Sequence, residues 1–341
     1  MNHHQSLINF RESLYQLIPS RCDAVMDLID AIALDGYRYN SVVKLSQSLS
    51  FKRSYSSITD AISALADNGQ DFWAKAFRLV YEQKTPSMNQ FAVDVTSNPR
   101  PHAKTLSDKV ITHSPNPAPS NSPICVGHAY SVIVGLDQGD AGDKKWVSPL
   151  SVERVKSSEK GNEIGMQQLE TLIQSGTEDG SLNVSFGDSL YGTAACRKTA
   201  TQNKDWVHIY RLRITRNIFQ QPDNKAPTRG RKPEYGHKIS IKDPEQFPSF
   251  DEVITTSCKT HKGKTYAVTI SCWHDMLLRG TNDFKSSEHP INVIRVEVTD
   301  SEGNAVFVRP LWLALLGERR HEVTIEDAYK HLAKCNKVLI S

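Results

Sequence analysis

No stretch of the chain approaches the roughly 20 consecutive apolar residues that a membrane-spanning helix needs. The opening MNHHQSLINF has neither the basic segment nor the apolar core of a secretory leader. A cytoplasmic protein with no membrane partner is therefore expected. Six cysteines, Cys22, Cys125, Cys196, Cys258, Cys272 and Cys335, are scattered without a C-x-x-C pair, which argues against a zinc site and against a disulfide framework. They read as reduced and mostly structural. A net charge of +3 is too small to demand an anionic partner, so any contact with nucleic acid has to come from local clusters of Lys and Arg. Residues 328–341, AYKHLAKCNKVLIS, hold no Asp or Glu.

What is present is the composition of an ordinary globular protein, 38% hydrophobic and 23% charged, over 341 residues, more than one average domain. Residues 1–86 read as helical. Leu7, Phe10, Leu14 and Leu17 follow helical spacing over Gln5–Ile18 until Pro19 stops them, and Ala24–Leu34 repeats the pattern. Further helices are expected over Ser41–Leu49, Ser57–Leu65 and Asp71–Gln83. Short helices joined by a polar turn make either a helix-turn-helix or a plain helical bundle. Lys44, Lys52 and Arg53 at the connector sit where phosphate contacts would be made.

From Gln90 the period changes to two. Strands are expected at Gln90–Ser97, Ile124–Leu136, Lys145–Val155, up to Asp188, and at Trp206–Thr215; helices at Glu163–Gln174 and Thr193–Gln202. Asn98–Pro123, with six prolines, reads as an irregular loop. Strand, hairpin, helix, strand, helix, strand is the order of an α/β ribonuclease-H-like mixed sheet.

Two acids stand out in this frame. Asp94 lies inside an apolar β run (QFAVDVTS), where an unpaired charge is costly and calls for a metal or a partner. Asp188 follows the run SLNVSFG just before a helix start, where it could equally serve as a helix cap. Two carboxylates at strand ends supply hard oxygen ligands suited to Mg²⁺ or Mn²⁺.

The segments FAVDVTSNPRPHAKTLSD, GHAYSVIV, PLSVERVKSSEK, VSFGDSLYG, IYRLRITRNIF with TRGRKPEYG, and RPLWLALLGERRHEVTIEDAYKH resemble, in this order, the insertion-sequence transposases of the DDE superfamily. The similarity runs from about Leu7 to His331 and points to the group whose ribonuclease-H-like core carries a β-rich insertion. It implies metal-dependent DNA strand cleavage and strand transfer at element ends, with Asp94 and Asp188 as catalytic metal ligands. It also implies double-stranded DNA, both transposon ends and target, as the partner. Self-association into a dimer is left open. The domains expected are a helical, DNA-binding part over 1–86, the first part of the core over 87–215, the β-rich insertion over 216–305, and a return to the core over 306–341.

Within the insertion, Arg229, Arg231 and Lys232, and then Lys259, Lys262 and Lys264, form two basic loops. Arg211 and Arg213 are expected to project from one face of a strand, with Arg216 following; if that face looks toward the metal site they hold phosphates, and otherwise they pair with surface acids. His274 and His289 read as satisfied loop histidines. Strand character returns over Ile291–Thr299, Ala305–Val308 and Leu311–Leu316, after which Thr324 with Asp327 signals a helix start. The resemblance implies a glutamate about ten residues beyond Tyr329 on that helix. The acid-free residues 328–341 hold none, so the expectation is a final helix altered by frameshift or truncation, and impaired activity. A DNA-binding remnant or inhibitor of transposition, and a plain metal-dependent nuclease, are the other readings.

Overall fold

The structure, a computed structural model, describes residues 3–330 apart from 36–40, 68–71, 73–74, 77–78, 80–87, 101, 104, 114–123, 137–146, 177–179, 224–232 and 260–262. The chain divides into two compact units, Met1–Thr85 and Pro86–Ser341.

The first unit is helical: α1 (His3–Leu17), α2 (Cys22–Asp35), α3 (Val42–Leu45) and α4 (Tyr55–Asp67). Phe72, Lys75, Ala76 and Leu79 are helical as well, and the rest of the expected Asp71–Gln83 helix falls largely outside the described residues. Leu14, Val25, Leu28, Ala31, Phe51, Ile58, Ala61 and Phe72 meet in one core with Phe10 and Leu17 packed against it, while Leu7, expected on the same stripe, is exposed. The third helix is one turn rather than Ser41–Leu49. Serines end it: the Ser46 hydroxyl donates to the Val43 carbonyl at 2.7 Å, the Ser50 amide to Ser48 Oγ at 3.2 Å, and the Ser48 hydroxyl to Asp35. Such local bonds compete with helix continuation. Arg53 at the connector is not a free phosphate contact, because its guanidinium is shared by Asp27 at 3.1 Å and Asp23 at 3.2 Å.

The second unit is built on β1 (Met88–Pro99), β2 (Val110–His113), β3 (Ile124–Leu136), β4 (Val147–Val155), α5 (Gly161–Gly176), β5 (Leu182–Gly187), α6 (Ala194–Ala200) and β6 (Trp206–Arg211). It continues through β7 (Asn217–Phe219), β8 (Lys238–Ser240), β9 (Glu252–Lys259), β10 (Thr265–Met276), β11 (Ile291–Thr299) and β12 (Leu311–Leu316). The sheet runs β2-β3-β1-β5-β6-β12-β11-β10-β9, with β4 also on β3, and β7 pairs with β8 apart from it. β1 is antiparallel to β3, whereas β1, β5 and β6 are parallel neighbours. This is the ribonuclease-H-like mixed sheet. Strands from the 216–305 stretch extend it without a break, since β11 is bonded to β12 and β12 to β6.

Alternation gives the sheet two buried faces. Ala92, Val184, Phe186, Val207, Ile209, Ile270, Ile294 and Leu313 share one with Val323, Ile325 and Ala328, which lead into and form the helical stretch 325–330. On the other side α5 packs against β1 and β3. Leu311–Leu316, buried almost throughout, reads as a near-continuous apolar run, whereas Leu182–Gly187 alternates apolar residues with the buried polar Asn183 and Ser185.

Three expectations are corrected, and one strand was not expected. The loop 98–123 contains a strand, β2, held on the outer edge of β3. β6 stops at Arg211 rather than running to Thr215, because residues 213–216 turn, with the Arg216 amide donating to the Arg213 carbonyl at 2.9 Å. Residues 305–308 do not form a strand; Ala305 makes a single bridge to Thr299. β9 was missed because each of its residues is exposed or half-buried, leaving no apolar periodicity to see.

Candidate active site

The parallel register of β1 on β5 sets the site. Met88 pairs with Leu182 and Ala92 with Phe186. The observed pairing ends at Ala92 with Phe186; carried two residues further, the same register brings Asp94 level with Asp188, which follows the end of β5, and the Asp188 charge acts on Asp94. Both follow the alternation of Ala92, Val184 and Phe186, so they share one face of the sheet. Both are half-buried.

Each carboxylate is oriented by a local backbone amide. Val95 N–H donates to Asp94 Oδ1 at 2.8 Å, and Leu190 N–H to Asp188 Oδ1 at 2.7 Å. Asp188 therefore does cap a helical turn, the 3₁₀ turn Ser189–Gly192. Capping uses one oxygen; among the described residues neither Oδ2 accepts a hydrogen bond. Burial pushes the Asp94 carboxyl up from its usual range, the Val95 amide opposes this, and the nearby Asp188 charge adds to the rise. Two like charges with an open oxygen each form a donor set that fits a hard divalent cation.

Among the described residues no group of three His, Cys, Asp or Glu side chains is arranged to hold a metal ion. On the helical stretch 325–330, Glu326 pairs with Lys330 at 2.7 Å, and Asp327 Oδ2 accepts from the Thr324 hydroxyl at 2.7 Å. Asp327 N–H in turn donates to Thr324 Oγ1 at 3.0 Å, the capping arrangement expected there. Residues 331–341 lie outside the described residues.

Arg211 continues the row of acids. Gly187 pairs with Tyr210, so Arg211 is level with Asp188 one strand over, and its alternation with Val207 and Ile209 puts it on the same face. It is exposed. Arg213 lies beyond the strand end, so the two arginines do not share one strand face as expected; instead Arg213 Nε donates to Ser189 Oγ at 3.2 Å. Arg216 is exposed, and its charge helps to lower the pKa of buried Arg197, behind the desolvation of that group. Arg229, Arg231 and Lys232 fall outside the described residues, as does Lys262. Lys259 ends β9, paired with Thr265, and Lys264 precedes β10. His289 stacks on Phe284 at 5.1 Å, and His274 sits 5.3 Å from His321.

Residues not singled out from sequence hold the turn after Asp188. Asn162, at the start of α5, donates to the Leu190 carbonyl at 2.9 Å. On β6, Trp206, His208 and Tyr210 alternate along one buried face. The pattern WVHIYR, with polar aromatics at every second position of a buried strand, was the available signal. No helix among the described residues is long and apolar enough to cross a membrane.

A search of the curated proteins gives no match. A family model described as DDE superfamily endonuclease matches residues 13–278, from the first helix through β10 and across both acids and the β1-β5-β6 sheet that carries them. The chain belongs to the DDE superfamily of endonucleases.

Proposed function

We propose that the chain is a DDE-type transposase by descent, acting on DNA through a divalent cation, Mg²⁺ or Mn²⁺, held between Asp94 and Asp188. The observation that supports this is the β1–β5 register, which, carried two residues past its last pair, brings Asp94 level with Asp188, each with an Oδ2 that accepts no hydrogen bond among the described residues. When bound, the cation supplies Lewis-acid stabilisation of charge on phosphate oxygens. The protein's own part is orientation. The Val95 and Leu190 amides fix the two carboxylates, and Arg211 and Arg213, beside Asp188, engage phosphates of double-stranded DNA through charge-assisted hydrogen bonds. Arg216, Arg229, Arg231 and Lys232 extend that basic surface, and insertion-sequence ends are the DNA it serves.

A site built from Asp94 and Asp188 alone does not complete strand transfer. Only two carboxylates meet on the sheet face among the described residues, and residues 328–341 offer no third. A ligand set this small leaves the in-line geometry of a two-metal displacement unfixed. That same acid-free stretch favours a second reading, a DNA-binding protein that occupies element ends and inhibits intact copies.

The test is cleavage of a DNA carrying the element's ends, with Mg²⁺ or Mn²⁺. The expected result is DNA binding without efficient strand cleavage. Robust cleavage that Asp188→Ala abolishes would overturn the incomplete-site argument, and cleavage without end joining would instead mark a plain metal-dependent nuclease. Competition with an intact transposase for element ends checks the inhibitor reading.

A further inference from the structure

Behind the turn that carries Asp188 lies a closed chain of buried polar groups. Trp206 Nε1–H donates to Ser185 Oγ at 2.8 Å, Ser185 Oγ lies 2.8 Å from His208 Nδ1, and His208 Nε2 is 3.3 Å from the Tyr191 carbonyl. The chain fixes every proton. A carbonyl only accepts, so His208 Nε2 carries the hydrogen; Nδ1 is then the acceptor, and the Ser185 hydroxyl donates to it while accepting from Trp206. Trp206, Ser185 and His208 are fully buried. Burial pushes the His208 imidazole down to about 4, so the neutral tautomer that this chain requires is the one present at neutral pH.

This chain ends on the turn Ser189–Gly192, which has no slack of its own. A Cβ on Gly187 would lie 2.7 Å from Tyr191 Cβ, and one on Gly192 2.6 Å from the Tyr210 ring, so the backbone enters and leaves the turn pressed against those rings. The His208 ring stacks on Tyr210 at 5.3 Å, completing the wall. From the opposite side Asn162 holds the Leu190 carbonyl at 2.9 Å, while Leu190 N–H is the donor that orients Asp188. Releasing the Tyr191 carbonyl therefore loosens the amide that aims the Asp188 carboxylate.

We infer that His208 is a positioning residue for Asp188, acting through the Tyr191 carbonyl and the turn Ser189–Gly192, with Ser185 and Trp206 locking its tautomer. The inference rests on the reading of Asp188 as a metal ligand. A partner that orients a ligand from behind contributes about 10–100-fold in metal affinity in well-studied sites.

The test uses the full 341-residue chain, Mn²⁺ affinity by electron paramagnetic resonance, and deuterium exchange of the peptide spanning residues 186–193. His208→Phe keeps a ring and removes both hydrogen bonds. It is expected to weaken Mn²⁺ about tenfold and to speed exchange in that peptide, with a cooperative melt retained. His208→Gln, whose amide can still donate to the Tyr191 carbonyl, is expected to recover most of both. Ser185→Ala, which removes one buried oxygen, gives the same direction with a smaller change and serves if His208→Phe does not fold. A folded His208→Phe or Ser185→Ala chain with parental Mn²⁺ affinity and parental exchange overturns the inference. Asp188→Asn separates the two levels: if it binds Mn²⁺ like the parent, the metal-ligand reading fails, whereas its loss of binding with His208→Phe unaffected sinks the positioning role alone.

Discussion

Arg213 donates from Nε to the hydroxyl of Ser189, 3.2 Å away, which ties a guanidinium to the residue that follows Asp188. Arg211 reaches the same neighbourhood from the end of β6, level with Asp188. If DNA is held at these arginines as proposed, binding releases condensed counterions in proportion to the phosphates neutralised. Replacing Arg211 and Arg213 together by Ala is expected to flatten the log–log salt dependence of DNA affinity by about 0.9 per lost contact. Titrations at several salt concentrations decide it, and an unchanged slope would remove both arginines from the interface.

Asp94 is a carboxylate held in an unfavourable place. Burial raises it first and the Asp188 charge adds to that, with only the Val95 amide pulling the other way. Asp94→Asn is expected to raise the melting temperature of the metal-free chain by about 2 °C at neutral pH, because active-site charges are retained at the expense of stability. Mn²⁺ should stabilise the parent and not the variant. A melt of both chains with and without Mn²⁺ provides the comparison, and a destabilised variant contradicts the account.

His208 should govern acid sensitivity. Its folded value of about 4 lies below the unfolded 6.5, so between these values the unfolded chain binds a proton that the folded chain refuses. Stability then falls as pH drops through 6.5 towards 4, by about 2 kcal/mol between pH 7 and pH 5. Urea midpoints at the two pH values measure it. In His208→Phe this part of the pH dependence is expected to vanish while the carboxylate contributions remain.

Gly192 packs a backbone against an aromatic face. Gly192→Ala places a methyl 2.6 Å from Tyr210 Cδ2 and Cε2, and that ring is fully buried with nowhere to move. Overpacking of this kind costs about 1–3 kcal/mol. Chemical denaturation is expected to report a loss in this range, and because the strain lies on the turn after Asp188, Mn²⁺ affinity should fall with it.

Much of the architecture was legible in the chain. Apolar runs announced β3, β11 and β12 to the residue, β1 to within two residues at each end, and the exit of β5. Asp94 and Asp188 were legible as chemical oddities, a charge within an apolar run and an acid at the exit of another. Where local rules compete, the reading slipped. Serine hydroxyls cut α3 to one turn, β9 hid for want of apolar residues, and Arg213 left the strand that was to share it with Arg211.

The sequence by itself determined which stretches are strands and helices and which residues are out of place in them, because propensity, periodicity and capping act over a few neighbours. Tertiary structure alone decided that Asp94 comes level with Asp188 and feels its charge, since that follows from the pairing of β1 with β5, segments some ninety residues apart. It alone decided that His208, an unremarked residue in WVHIYR, stands behind the turn that aims Asp188. Register and burial are properties of the assembled sheet, and a buried polar group finds its partners only when the strands that carry them are brought together.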